Sequence, residues 1–193
     1  MEAGRPCYDE GGLRDDQAQD LFYELVWPRR SALLRLARIL TGNDADAEDL
    51  AQEALLKAYR SIGTFQRGSR VEAWLAAILR NTRIDRLRAA GASASDVSLD
   101  GLGLDVAGDV SETVEWQQPQ DILDGFSDQQ VIAALQRLPE EIRWTLLLVD
   151  VEGWDQKEAA QLLDVPVGTV KSRAHRGRAM LRQALAPLRP ARR

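Results

Sequence analysis

What the chain has little of narrows its function first. Cys7 is the only cysteine and His175 the only histidine in 193 residues. No disulfide can form within the chain and no Cys/His cluster can hold zinc, so neither a metal nor another cofactor is expected. One His, one Cys and no phosphate-cradling glycine loop leave no nucleophile-and-base constellation, and the chain is not read as an enzyme. Nothing near Cys7 would lower its pKa, so its thiol is read as incidental. There is no apolar run of membrane-spanning length and no secretory leader pattern, so the expectation is a cytoplasmic protein without direct membrane insertion. Aromatics make up only 6%, but hydrophobic residues reach 45%, ample for burial.

Charge is segregated rather than scarce. The formal net charge of −5 would be odd for a protein that merely coats DNA. Between Arg88 and Arg137 there is no Lys or Arg, whereas Asp96, Asp100, Asp105, Asp109, Glu112, Glu115, Asp121, Asp124 and Asp128 all fall there. After Asp164 there is no acid at all. The acidic stretch mixes with Gly and Ser and loses helical period, so residues 91–126 read as a flexible linker. A chain of that length spans about 30–35 Å. Trp116 within it is an unusual residue for a tether. Residues 1–19, polar and without period, read as a mobile leader, and residues 189–193 as a basic tail. What remains is all-α: two small helical bundles, residues 20–90 and 127–188, each with its own apolar set.

In the first bundle, Leu21, Leu25 and, past Pro28, Leu33, Leu36, Ala37 and Leu40 supply an inward stripe that Gly42 ends. The next helix, from Asp44 to Ile62, opens with acids at the end its dipole favours, and turns Ala47, Ala51, Ala54 and Ala58 inward. Asp49, Gln52, Glu53 and Leu56 cluster outward. Either they form a plain solvated face or, with an apolar side chain among acids, a surface for docking a protein. Residues 63–70, GTFQRGSR, form a loop carrying Phe65 and Arg67. A helix over 71–90 follows, with Val71, Trp74, Leu75 and Ile78 inward, Asn81 at the stripe's edge, and Arg80, Arg83 and Arg86 on the far side. Structural arginines could explain this, but an aromatic loop beside an arginine-studded helix also suits single-stranded nucleic acid, through stacking and cationic tracking.

In the second bundle, Ser127 and Gln130 make a capping box. Val131, Leu135 and Leu138 form a helix face. Pro139 opens a helix, PEEIRWTLLLVDVEG, with Ile142, Leu146 and Val149 inward and Gly153 as its stop. Residues 154–185 then carry two short helical patterns around a turn at Asp164-Val165-Pro166. Asp155 and Glu158 form a helix-start signature, and Val170, Ala174, Gly177 and Leu181 form a buried stripe. This is the pattern of a helix-turn-helix, whose second helix enters a DNA major groove. Opposite the stripe lie Ser172, His175 and Arg176, suited to base edges. Lys171, Arg173, Arg178 and Arg182 flank them, suited to phosphates.

Three stretches, LTGNDADAEDLAQEALLKAYRSIGTF, AWLAAILRNTRIDRLR and LPEEIRWTLLLVDVEGWDQKEAAQLLDVPVGTVKSRAHRGRAML, resemble the sigma-70 family of bacterial transcription initiation factors, in its small extracytoplasmic-function subgroup. The resemblance implies a factor that binds core RNA polymerase and directs it to promoters. It would place Asp49, Gln52, Glu53 and Leu56 on the polymerase's coiled-coil clamp. The 63–70 loop with Phe65 and Arg67, and the helix with Asn81, Arg83 and Arg86, would read the single-stranded non-template strand at the minus-ten element. Thr169, Lys171, Ser172, Arg173, His175, Arg176 and Arg178 would meet the minus-thirty-five duplex. The acidic linker would thread the polymerase's RNA-exit path, and an anti-sigma factor would be a further partner.

Two other classes compete. A helix-turn-helix regulator binding operator DNA independently of polymerase would not need the loop-plus-arginine helix. A helical interaction protein that sequesters partners would leave the charge of the recognition helix without a reason.

Overall fold

The computed structural model describes residues 15–91 and 128–188. The leader with Cys7, the acidic linker with Trp116, the Ser127 cap and the basic tail lie outside the described residues. Among the described residues every regular element is helical. The first half contains α1 (Asp15–Leu25), a 3₁₀ turn (Trp27–Arg29), α2 (Arg30–Thr41), α3 (Asp44–Ser61), a second 3₁₀ turn (Ile62–Thr64) and α4 (Val71–Ala89). The second half contains α5 (Asp128–Gln136), α6 (Glu140–Leu146), α7 (Gln156–Leu163) and α8 (Val167–Leu185).

Local chemistry sets these boundaries. Pro28 cannot donate a backbone hydrogen bond, and the chain breaks there into the 3₁₀ turn between α1 and α2. Gly42, at φ 91°, closes α2 in the left-handed conformation, its N–H bonding to the Arg38 carbonyl at 3.3 Å. Asn43 then caps α3, its side chain accepting from the Asp46 N–H at 2.8 Å. The stripe of Leu33, Leu36, Ala37 and Leu40 meets Ala47, Ala51, Ala54 and Ala58, all buried. Alanine along α3 lets the two helices approach closely, with Leu50, Leu75 and Leu79 filling the space around them.

The helix expected to run to Gly153 departs from plan. After Leu146 it widens into a π turn over Leu147–Val151, the Glu152 N–H reaching back five residues to the Leu147 carbonyl at 2.9 Å. The extra residue per turn changes the phase. Leu146, Leu147 and Leu148 are therefore all buried, and Val149, expected inward, is only half-buried. Gly153, at φ 67°, then turns the chain so that Trp154 is buried ahead of α7.

The expectation of separate apolar sets also needs correction. The buried residues of both halves form one cluster, because α2 packs against α5 and α6. Arg143 of α6 closes the joint. Its guanidinium donates to the carbonyls of Leu135, Gln136 and Leu138 at 3.0, 2.5 and 2.8 Å, and across the joint to Leu40 at 3.1 Å and Ile39 at 3.5 Å. Four of these carbonyls lie in the C-terminal turns of α2 and α5, where partial negative charge gathers, and that of Leu138 lies in the turn before α6. Burial draws the Arg143 pKa down, and the nearby Glu140 carboxylate opposes it.

Gly177 shows how tightly the second half is packed. A Cβ there would stand 2.6 Å from Ile142 Cγ2 and 2.9 Å from Leu146 Cδ1. In an exposed helix Gly→Ala gains about 1 kcal/mol, whereas overpacking a core costs about 1–3 kcal/mol. Both neighbours are themselves buried and cannot move aside, so the clash wins. Gly177→Ala is expected to lower the melting temperature by several degrees, and a rise would mean that α8 shifts off α6 without cost.

Candidate nucleic-acid and partner interface

Three surfaces carry the expected site residues. On α3, Asp49, Gln52 and Leu56 are exposed, Leu56 by 57%. Glu53 is different. It accepts from Arg86 Nε at 2.7 Å and pairs with Lys57 at 3.2 Å, while Lys57 also reaches Asp85 at 3.1 Å. The Arg86 hydrogen bond is the main reason the Glu53 carboxyl sits below its ordinary pKa. Glu53 therefore clasps α3 to α4, and Arg86 is committed to the same clasp.

Beside Leu56 lies an apolar depression lined by Phe22, Trp27, Gln52, Leu55 and Tyr59. Tyr23, Trp27 and Tyr59 are exposed around it, with Tyr23 edge-on to Phe22 and tilted against Trp27. Sequence reasoning missed these aromatics. The signal was available: Phe22, Tyr23 and Trp27 fall within six residues of a chain that is 6% aromatic.

The second surface is the loop and α4. Phe65 was expected to offer a stacking face, but it is buried against Trp74 with ring centroids 5.3 Å apart. It anchors the loop rather than stacking on a base, because an apolar ring beside a half-buried indole gains more from burial than from water. Arg67 and Asn81 are exposed. Arg83 lies 3.5 Å from Glu140 of α6, and Arg70, at the loop's end, lies 2.6 Å from Glu158 and 5.0 Å over the Trp154 ring.

The third surface is the helix-turn-helix, α7 and α8. The expected start signature is a full capping box: Asp155 Oδ1 accepts from the N–H groups of Lys157 and Glu158 at 2.7 and 2.8 Å, and Glu158 Oε2 accepts from the Asp155 N–H at 3.2 Å. These backbone N–H groups hold the exposed Asp155 carboxyl below its ordinary pKa. Asp164, at φ 55°, makes the left-handed turn, and Pro166 leads into α8. Val170, Ala174, Gly177, Leu181 and Leu185 are buried, as the stripe requires. Lys171, Ser172, His175 and Arg176 are exposed, and Thr169 is half-buried with its carbonyl accepting from Ser172 Oγ at 3.0 Å.

The flanking bases divide. Lys171 points outward, but Arg173 is ion-paired with Glu141, and Arg178 grips Asp150 with two bonds of 2.7 and 3.0 Å. The Asp150 carboxylate raises the Arg178 pKa. These two were expected on phosphates, and the structure instead has them tying α8 to α6 and its π turn. Arg178→Ala should therefore cost stability, about 1–3 kcal/mol, because it strands an Asp150 side chain only 12% exposed. Arg176→Ala should leave melting within about 0.5 kcal/mol of wild type. Thermal denaturation of the two variants side by side checks this, and equal melting would return Arg178 to the solvent-facing set.

Comparison with known proteins places both halves. The family model for sigma-70 region 2 matches residues 25–93, and that for sigma-70 region 4 matches residues 128–181. The ECF RNA polymerase sigma factor SigE of Mycolicibacterium smegmatis is 36% identical over 184 residues, covering 95% of this chain and 68% of that protein. The ECF RNA polymerase sigma factor SigW of Bacillus subtilis is 32% identical over 180 residues, covering 88% and 91%. Among solved structures, the sigma factor RpoE in complex with the anti-sigma factor NepR from Bartonella quintana aligns with a TM-score of 0.62 at 29% identity, over 89% of this chain and 98% of that one.

Proposed function

The chain belongs to the sigma-70 family of RNA polymerase sigma factors, in the extracytoplasmic-function group, and from that premise we propose how this initiation factor divides its work. The first half, residues 20–90, docks on core polymerase through Asp49, Gln52 and Leu56, with the aromatic depression beside them receiving an apolar side chain of the partner. Its α4 edge, through Asn81 and Arg83, and its loop, through Arg67, engage the opened minus-ten strand, while Arg86 holds α4 to α3 through Glu53. Phe65 holds that loop in place. The second half, residues 127–188, reads the minus-thirty-five duplex through Ser172, His175 and Arg176, with Lys171 and Thr169 toward phosphates.

The observation that carries this reading is the outward face of α8. Ser172, His175 and Arg176 are all exposed, opposite a fully buried stripe, on the second helix of a capped helix-turn-helix. Residues 91–126 tether the two halves, and their acids suit a cationic channel of the polymerase. An anti-sigma factor is proposed as a further partner, since the related RpoE is held by one.

The test is run-off transcription with core polymerase on a library of promoter sequences. Selected templates should share two short elements, and Arg176→Ala should relax the preference at one position of the upstream element. Sequence-specific duplex binding that neither needs core polymerase nor leads to a transcript would instead establish an operator-binding regulator.

A further inference from the structure

Ser172, His175 and Arg176 are exposed on α8, so their aim depends on how that helix lies against its own bundle. The buried stripe fixes distance better than angle. Its two middle members, Ala174 and Gly177, are nearly featureless, and Gly177 brings α8 into contact with Ile142 and Leu146. With little side chain to interlock there, the stripe resists a roll of α8 about its own axis only weakly. Two ion pairs supply what it lacks. Arg173 pairs with Glu141 at the start of α6, and Arg178 grips Asp150 in the π turn with bonds of 2.7 and 3.0 Å. At about 100° per residue Arg173 and Arg178 stand about 140° apart around the axis, one on each flank of the stripe. Each pair therefore stops roll in one sense.

We propose that Glu141 and Asp150, neither of which meets DNA, are positioning residues for promoter selection: through Arg173 and Arg178 they fix the roll of α8, and so decide which base edges Ser172, His175 and Arg176 reach. The inference rests on the minus-thirty-five reading of α8 given above. The leverage is large. Side-chain tips lie about 6 Å from a helix axis, so a roll of about 30° carries them about 3 Å. That is nearly one base-pair step of about 3.4 Å, whereas donor–acceptor distances in hydrogen bonds vary by only about 0.5 Å. A helix braced on one flank alone would reach neighbouring bases. Discrimination would fall with every reading residue intact.

The chemistry of the braces suits a fixed part rather than one that lets go on DNA. Arg178 meets Asp150 through two parallel bonds, a planar fork that sets direction as well as distance. Trading Asp150 for a phosphate would strand a carboxylate whose side chain is only 12% exposed. Arg178 therefore stays on the protein side when α8 docks, and Lys171, which points outward, is left to meet the DNA backbone.

Run-off transcription by the full-length chain with core polymerase, on pooled templates with a randomised upstream element, tests this. Yields are compared between templates in one reaction, so the amount of folded holoenzyme cancels. Asp150→Asn keeps the volume and removes the charge. It should lower the yield ratio between preferred and single-mismatch elements about fivefold. Glu141→Gln should act in the same direction. Arg178→Lys, which keeps a cation on Asp150, should retain more of the ratio than Arg178→Met. The salt dependence of promoter binding should stay as in wild type for all four. An unchanged ratio beside a lowered melting temperature would give the pairs to stability alone and overturn the proposal. A salt slope reduced by about one unit in Arg178→Met would make Arg178 a phosphate contact and overturn it as well. A wild-type chain that transcribes with no upstream preference would remove the reading of α8 itself, which separates that failure from a failure of the braces.

Discussion

Arg143→Met is expected to cause the largest loss of stability of any substitution considered for this chain. Methionine fills similar space and keeps the site apolar, so the measurement isolates the hydrogen bonds. Five carbonyls lose their donor, at the ends of α5 and α2 and in the turn before α6. Hydrogen bonds to a charged group are each worth about 1.5–3 kcal/mol. The five share one half-buried guanidinium and cannot be summed, but even two of them lost together amount to about 3–6 kcal/mol. At about 2–4 °C per kcal/mol for a chain of this size, melting should fall by roughly 10 °C or more. Arg143→Lys should fall between, because an ammonium keeps the charge but reaches fewer carbonyls. Circular dichroism melts of the three proteins check the order. A methionine variant within about 0.5 kcal/mol of wild type would mean that apolar burial alone holds the joint.

Nothing in the sequence singles Arg143 out. It is one of 25 bases, in a helix whose acids and leucines explain themselves locally. Its partners lie up to 104 positions away, and periodicity carries no information at that range. The same limit explains Arg173, Arg178 and Glu53. From the sequence each is a charge on an outward or flanking face. The structure finds each a partner 28 to 33 residues distant, and so gives it to the fold. Local features were read well for the opposite reason. The capping box at Asp155, the left-handed stop at Gly42, the alanine stripe of α3 and the buried stripe of α8 are each written within one or two turns of helix. Phe65 failed because a loop aromatic can face a base or a neighbouring ring, and only the position of Trp74 decides between them. The π turn failed because five apolar residues in a row, Thr145 aside, carry no phase to contradict a regular helix.

Asp49→Lys combined with Leu56→Ala is expected to weaken binding to core polymerase by about 100-fold while leaving the free protein folded. The choice of pair follows from the structure. Glu53→Lys would serve badly, because it removes the partner of Arg86, places a cation beside Lys57 and loosens α3 from α4. Any loss of binding would then be confounded with a damaged fold. Asp49 and Leu56 are exposed, so each change should shift stability by no more than about 0.5 kcal/mol. Leu56 stands 57% exposed beside the depression formed by Phe22, Trp27, Leu55 and Tyr59. An apolar side chain so placed is the natural anchor of an interface, and truncating an anchor costs about 2 kcal/mol or more, roughly 30-fold in affinity. Reversing the charge at Asp49 acts mainly on association and its salt dependence, contributing the remaining few-fold at low ionic strength. Trp27→Ala should add to the effect, since it empties one wall of the depression. Competition for core polymerase against the wild-type chain, with melting curves run in parallel, measures both halves of the expectation. If the double variant competes as well as wild type, the docking face lies elsewhere on the first bundle. If it competes poorly only at low salt, charge alone carries the contact and Leu56 is a spectator.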